Sequence, residues 1–164
     1  MNSQITLKIE KCKQESWGTE KKTCVYPQCY KYDNSTNSWT FLTNMTTGRD
    51  FSASVSINGK LFVMGGLGGK NELSSTEIIS LDENVSQPGP ELPFPRSKHC
   101  LVKLSTGKVM IIGGDRDETE QSVIIFDPDG KTFDHSLPSL NEERIGLGKD
   151  LFRYGRRTEQ NCGL

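Results

Sequence analysis

The side chains with chemical reach are few, and their spacing limits what they can do. The two histidines, His99 and His135, leave little material for histidine-based acid–base work or a histidine-rich metal site, and each reads as polar surface. Five cysteines are present: Cys12, Cys24, Cys29, Cys100 and Cys162. Cys24 and Cys29 are separated by Val25-Tyr26-Pro27-Gln28, outside the two-residue spacing of a zinc knuckle, and no second pair follows. A local disulfide or inert thiols fit them better, and Cys100, inside an apolar run, reads as a small core residue. Asp115, Asp117 and Glu118 crowd one loop, but hard-cation loops demand more ordered oxygen spacing, so they read as solvated charge. No cofactor is expected. What remains is a series of arginines, Arg49, Arg96 and Arg144, at intervals of 47 and 48 residues. Their planar guanidinium forks are suited to bidentate capture of carboxylates.

Something periodic must position those arginines, and composition narrows what it is. The chain has 164 residues, 33% apolar and 25% charged, enough for one domain with a core. Its 20 basic and 21 acidic residues are interspersed, so no global field recruits nucleic acid or an anionic membrane. Residues 1–13 carry scattered Lys and Glu where a signal peptide needs an apolar stretch, and no run is long enough to span a bilayer. This favours a cytoplasmic setting. Three Asn-x-Ser/Thr triplets, at Asn34, Asn44 and Asn84, keep open an extracellular protein whose leader lies outside the sequence.

The period recurs in other residue types. Gly65-Gly66 and Gly113-Gly114 lie 48 residues apart, and an apolar residue precedes each arginine by four: Met45, Leu92 and Leu140. Leu42 and Leu137 lie seven before the first and third. Tyr32-Asp33 is followed by Trp39, and Phe126-Asp127 by Phe133, at the same offset. The middle copy reads as Leu81-Asp82, with Pro88 in the aromatic's place.

Each copy spells strands. After Arg49, Val55-Ser56-Ile57 alternates, Asn58-Gly59 turns, and Leu61-Phe62-Val63-Met64 runs into the glycine pair; Asn-Gly is the strongest two-residue hairpin signal. The next copy spends three residues, Ser105-Thr106-Gly107, between Leu101–Leu104 and Val109–Ile112, which suits a type I turn with a bulge. The second strand of each hairpin is nearly all apolar, as expected for a strand buried on both faces. Third strands follow at 76–81 and 122–126, and a fourth carries Trp39 or Phe133. Four strands per period of this length is the arithmetic of a propeller blade.

Arg49 to Gly66, Tyr32-Asp33 to Trp39, Arg96 to Gly114 and Phe126-Asp127 to Phe133 together resemble the kelch repeat, over about residues 29–148. The resemblance implies an all-β, kelch-type β-propeller, here incomplete, with about two full four-stranded blades plus part of a third. Residues 1–28 form an N-terminal segment that could add a strand of a preceding blade, and 149–164 an irregular tail. It further implies that Gly65, Gly66, Gly113, Gly114, Tyr32, Trp39, Phe126 and Phe133 define the fold, with the large aromatic packed between blades. After Arg144 the pattern breaks off, and two blades cannot close a ring, so open edges invite self-association.

A residue that recurs once per blade before the innermost strand stands in a ring near the channel mouth. In kelch substrate receptors the matching arginines can contact acidic partner motifs, which makes Arg49, Arg96 and Arg144 the partner-binding candidates; a structural role, with the guanidinium paired to backbone carbonyls or neighbouring acids, is the equal alternative, and one arginine can fill both. The expected function is a non-catalytic protein-interaction module, extending to substrate recognition for a cullin-type ubiquitin-ligase adaptor. The alternatives are an extracellular propeller or part of a propeller enzyme of the oxidase or sugar-epimerase type.

Overall fold

The structure is a computed structural model that describes residues 7–11, 25–116, 119–143 and 145. Among these there is no helix; the strands form three antiparallel sheets, stacked face to face, and one small hairpin. The first sheet holds β1 (Leu7–Lys11), β2 (Val25–Asp33) and β3 (Ser38–Asn44). The middle sheet runs β4 (Ala53–Ile57), β5 (Lys60–Met64), β8 (Thr76–Ser80), β9 (Val85–Pro88), with β6 (Leu67–Gly68) and β7 (Asn71–Glu72) as a hairpin between β5 and β8. The third runs β10 (Cys100–Lys103), β11 (Val109–Ile112), β12 (Val123–Asp127), β13 (Thr132–Asp134). Each strand pairs with the next large-sheet strand along the chain, which is the up-and-down order of a propeller blade.

The turns explain the register. Asn58 and Gly59 both have positive φ, 49° and 72°, as a two-residue turn between paired Ile57 and Lys60 requires. In the third sheet the turn is one residue longer and closes through Leu104 N–H to Lys108 O (2.8 Å) and Gly107 N–H to Leu104 O (3.0 Å). The turns between third and fourth strands share another design. Asp33 Oδ1 accepts from the Ser35 amide, Asp127 Oδ1 from those of Asp129 and Gly130, and the turns end at left-handed Asn37, Asn84 and Lys131. The aspartate of the Tyr/Phe-Asp pair is therefore the turn former.

That register corrects the middle copy. Tyr32 pairs with Trp39 and Phe126 with Phe133, and their counterparts are Ile79 and Ser86, which pair with each other. Ser80, whose hydroxyl accepts from the Glu83 amide, replaces the aspartate. Leu81-Asp82 and Pro88 are thus two residues out of step with the positions expected for them, because both neighbouring turns have four residues and only Ile79 keeps the 47-residue spacing.

Two cores lie between the sheets. Cys29, Leu42 and Met45 of the first sheet and its exit meet Leu61, Val63 and Ile79 of the middle sheet. Phe62, Met64, Ile78 and Leu92 meet Leu101, Val109, Ile111, Ile124 and Phe126 of the third. Strand β5 therefore points alternate residues into different cores and is buried on both faces. Strand β11 departs from that expectation: Val109 and Ile111 are buried, but Met110 and Ile112 are half-buried, because no sheet among the described residues covers that side. Phe126 stacks between Phe62 and Phe133, with ring centroids 5.5 and 5.0 Å away. The matching pair in the first sheet, Tyr32 and Trp39 (5.0 Å), lies on the side away from the middle sheet, and Trp39 is 43% exposed.

Candidate binding surface

Among the described residues, the connections between sheets, 45–52 and 89–99, and the loops from second to third strand, 65–75 and the one after β11, gather at one end of the stack, and the tight turns at the other. The arginines sit at the crossover end, but inside it. Arg49 is 2% exposed and Arg96 0%. Arg49 donates through Nη1 to the carbonyls of Gly65 (3.0 Å) and Ser75 (2.7 Å), and through Nη2 to Ser75 Oγ (2.9 Å) and Glu77 Oε1 (3.1 Å). Arg96 donates through Nη1 to Gly113 O (3.2 Å) and Ser122 Oγ (3.0 Å). Each clasps the glycine pair to the start of the third strand, which is why arginine and Gly-Gly keep one period. Of the two roles open to them, Arg49 and Arg96 fill the structural one here, since both guanidinium groups are shut from solvent and bonded within their own sheets. Arg144 lies outside the described residues.

The two clasps differ electrostatically. Glu77 also accepts from the amides of Thr46 (2.6 Å) and Thr47 (3.1 Å) and from Ser86 Oγ (2.8 Å). Burial is the largest influence and pushes its carboxyl up, but the hydrogen bonds from Thr46, Ser86, Thr47 and Arg49 together hold it below the ordinary range. In the third sheet the glutamate's place is taken by Ile124 and that of Thr46 by Pro93, which has no amide proton. Arg96 Nε and Nη2 are left without hydrogen bonds. Burial lowers its pKa to about 10, with Glu72, reaching across from the middle sheet, opposing. His99 is corrected from polar surface to core: it is buried, and burial followed by the Arg96 charge lowers its pKa to about 3, so it is neutral. His135 is exposed. Cys29 is a free, buried thiol, pushed up to about 11 by burial and then by Glu77, and so inert as a nucleophile.

The glycine pair makes the joint between sheets. Gly66 N–H donates to Arg96 O (2.8 Å), and a Cβ on Gly65, at φ 57°, would stand 2.4 Å from that same oxygen. A side chain at Gly65 would therefore collide with the neighbouring sheet's backbone, and Gly114 is similarly confined, its Cβ position lying 2.5 Å from Thr119 Oγ1.

The outward positions at this end are two residues beyond each arginine. Phe51 and Lys98 both hold left-handed backbone, φ 50° and 54°, which costs a non-glycine residue about 1–2 kcal/mol. The Lys98 amide donates to Phe51 O (3.0 Å), so these strained residues meet across the sheet boundary. The Lys98 ammonium lies 5.7 Å from the Phe51 ring centroid and pairs with Asp115. Beside them Arg116 Nε approaches Glu72 Oε2 (3.5 Å), and the β6–β7 hairpin lifts Lys70 and Asn71 into solvent. The surface is a small ridge of mixed charge around one aromatic ring. One signal could have revealed it: the third copy has Gly146 two residues after Arg144, the residue type that tolerates this backbone best. Among the described residues no three His, Cys, Asp or Glu side chains converge as a metal site, and of the acidic loop only Asp115 is described.

Comparison with known proteins agrees with this architecture. A family model of the kelch motif matches residues 48–93. The chain is 31% identical over 90 residues to the spermatocyte protein spe-26 of Caenorhabditis elegans, covering 55% of this chain and 15% of that protein. It is 30% identical over 115 residues to kelch repeat and BTB domain-containing protein 12 of Danio rerio, covering 60% of this chain and 18% of that one. The chain thus spans less than a fifth of the length of these curated relatives. Among solved structures, that of YjhT superimposes with a TM-score of 0.64 at 19% identity, over 73% of this chain and 48% of the other. A fungal alcohol oxidase of the AA5 family, in complex with copper, does so at 0.58 and 21%, over 73% and 28%. At such identities the likeness is one of fold.

Proposed function

We propose that this chain, a member of the kelch-repeat family of β-propeller proteins, is a non-catalytic binding module that takes its protein partner at the crossover end. The observation that carries the reading is the pair of left-handed residues, Phe51 and Lys98, held at equivalent positions of adjacent blades. Backbone strain maintained at the same solvent-facing position of two repeats, while the arginines beside it are consumed by the fold, marks where the scaffold supports recognition instead of stability. The ridge offers Phe51 as an apolar contact flanked by Lys98, Asp115, Arg116 and Glu72, all at least partly accessible. Such a mixed surface suits a partner segment with an apolar anchor and charges of both signs. The relative whose name pairs kelch repeats with a BTB domain supports a finer version: the module is the substrate-recognition arm of a cullin-type ubiquitin-ligase adaptor.

The test is affinity capture compared across three proteins: the wild type, a Phe51→Ala/Lys98→Ala double variant, and an Asp82→Ala/Glu83→Ala control at the opposite end. Partners held by wild type and control but lost from the ridge variant support the reading. Partners retained by the ridge variant overturn it. For the finer version, lifetimes of captured partners should lengthen in cells when the ridge variant replaces the wild type; unchanged lifetimes would remove the ligase role and leave the binding role standing.

A further inference from the structure

The backbone that leads into the third sheet is held by the middle one. The three successive amides of Arg96, Ser97 and Lys98 donate to Leu73 O (3.2 Å), Glu72 Oε1 (3.1 Å) and Phe51 O (3.0 Å), all from the middle sheet and its loops. Two of these acceptors are carbonyls that any residue would supply, and the third is a side chain. Glu72 closes the β6–β7 hairpin, and its Oε1 also accepts from Ser97 Oγ (2.7 Å). Its Oε2 lies 3.5 Å from Arg116 Nε. One carboxylate thus meets both the residue before Lys98 and the cation beside it. Its side chain is 12% exposed against 46% for Arg116, so it faces the protein more than solvent.

The equivalent strained position one blade earlier is served locally. The Phe51 amide donates to Asp50 Oδ1 (2.9 Å), a carboxylate one residue back. At the next copy that residue is Ser97, and the Lys98 amide is already taken by Phe51 O. The carboxylate then comes from the neighbouring sheet and takes the Ser97 amide instead. Each left-handed residue has a carboxylate at its entry, Asp50 for Phe51 and Glu72 for Lys98.

We infer that Glu72 is a positioning residue of the ridge: through Ser97 it fixes the left-handed backbone of Lys98, and through its second oxygen it aims Arg116. The third-sheet half of the surface is thereby set from the middle sheet. Hydrogen bonds to an ionised carboxylate are the stronger class, and two of them converge here on one oxygen from a single residue. A carboxamide at the same place keeps an acceptor for Ser97 and gives up the charge that faces Arg116. The consequence for binding rests on the ridge being the partner surface, whereas the positioning itself does not.

The experiment is residue-resolved amide hydrogen exchange of the full chain, wild type against Glu72→Ala, with the amides of β5 and β12 as internal reference. Ser97 and Lys98 are expected to exchange at least about tenfold faster, the loss of one charge-assisted hydrogen bond, while the reference strands keep their rates. Glu72→Gln should restore most of the protection at Ser97 and leave the Arg116 Nε–H resonance broadened. Unchanged exchange at Ser97 and Lys98 would overturn the inference. So would an equal rise throughout both sheets, which makes Glu72 a general stabiliser and not a positioning residue. Should Glu72→Ala fail to fold, Glu72→Asp, one methylene short of Ser97, replaces it with the same expectation. Binding is read separately, and the probe is the set of proteins that the wild type captures and Phe51→Ala/Lys98→Ala does not. Their capture by Glu72→Ala is expected to fall about tenfold and to recover in large part with Glu72→Gln. Capture undiminished in the first variant, or lost as deeply in the second, would refute positioning, the latter by making the carboxylate a direct contact. If no protein passes that filter, the reading of the ridge fails, and the exchange rates still decide what holds Lys98.

Discussion

At the scale of single residues, the two buried arginines invite a direct comparison, because one has a carboxylate and the other does not. Replacing Arg49 with Met strands Glu77 in the core, and breaking a buried pair in this way costs about 3–5 kcal/mol. Replacing Arg96 with Met removes two donors that have no acceptor, so the loss is expected nearer the 1–2 kcal/mol of the hydrogen bonds to Gly113 and Ser122. Urea denaturation of the two variants measures the difference, and equal losses would contradict the asymmetry. His99 carries a pH prediction. Its folded pKa, about 3, lies below its ordinary value of 6.5, so its neutral form contributes stability that is complete above pH 6.5 and lost as pH falls towards 3. The expected slope is about 1.4 kcal/mol per pH unit. Glu77 acts in the same sense but lower, its contribution being lost as pH falls through its depressed value below 4.5. Stability of His99→Phe measured at pH 7, 6 and 5 should therefore be flatter than that of the wild type, with the steep acid limb below pH 4.5 retained.

At the scale of elements, turns and glycines set how the strands meet. Gly107 and Gly65 both have positive φ, 83° and 57°, but nothing lies within 4 Å of a Cβ built on Gly107. Gly107→Ala is expected to cost about 1 kcal/mol, the strain of the backbone alone. Gly65→Ala should cost more, because the Arg96 carbonyl must also move, and the third sheet with it. Thermal melts rank the two. The hairpin turns were fully legible from the chain, since Asn-Gly and Ser-Thr-Gly act locally. The middle copy's aromatic position was not: Ile79 and Ser86 resemble neither tyrosine nor tryptophan, and only strand pairing shows that they occupy those places.

At the scale of the whole molecule, stability passes from sheet to sheet through two cores that share β5. Phe62→Ala opens the core toward the third sheet and should cost about 3–5 kcal/mol. Because Phe62 faces away from Leu61 and Val63, hydrogen exchange should report loss of protection in β10–β12 with β2 and β3 retaining theirs. Uniform loss would show that the three sheets unfold as one unit.

The repeat, its period, the strand order and the all-β class are legible in the residues alone, because these depend on local signals that recur: alternation, turn chemistry and paired glycines. The sequence also located the arginines, but their role depended on what surrounds them. Periodicity reports that a residue is required once per blade, and a clasp inside the blade satisfies that requirement as well as a ring around a channel does. Sheet packing bears on the choice by placing the carbonyls of Gly65 and Ser75 around Arg49 and leaving Phe51 and Lys98 half-buried at the crossover end. Burial is set by the packing of sheets distant in sequence, and no spacing within one chain segment encodes it.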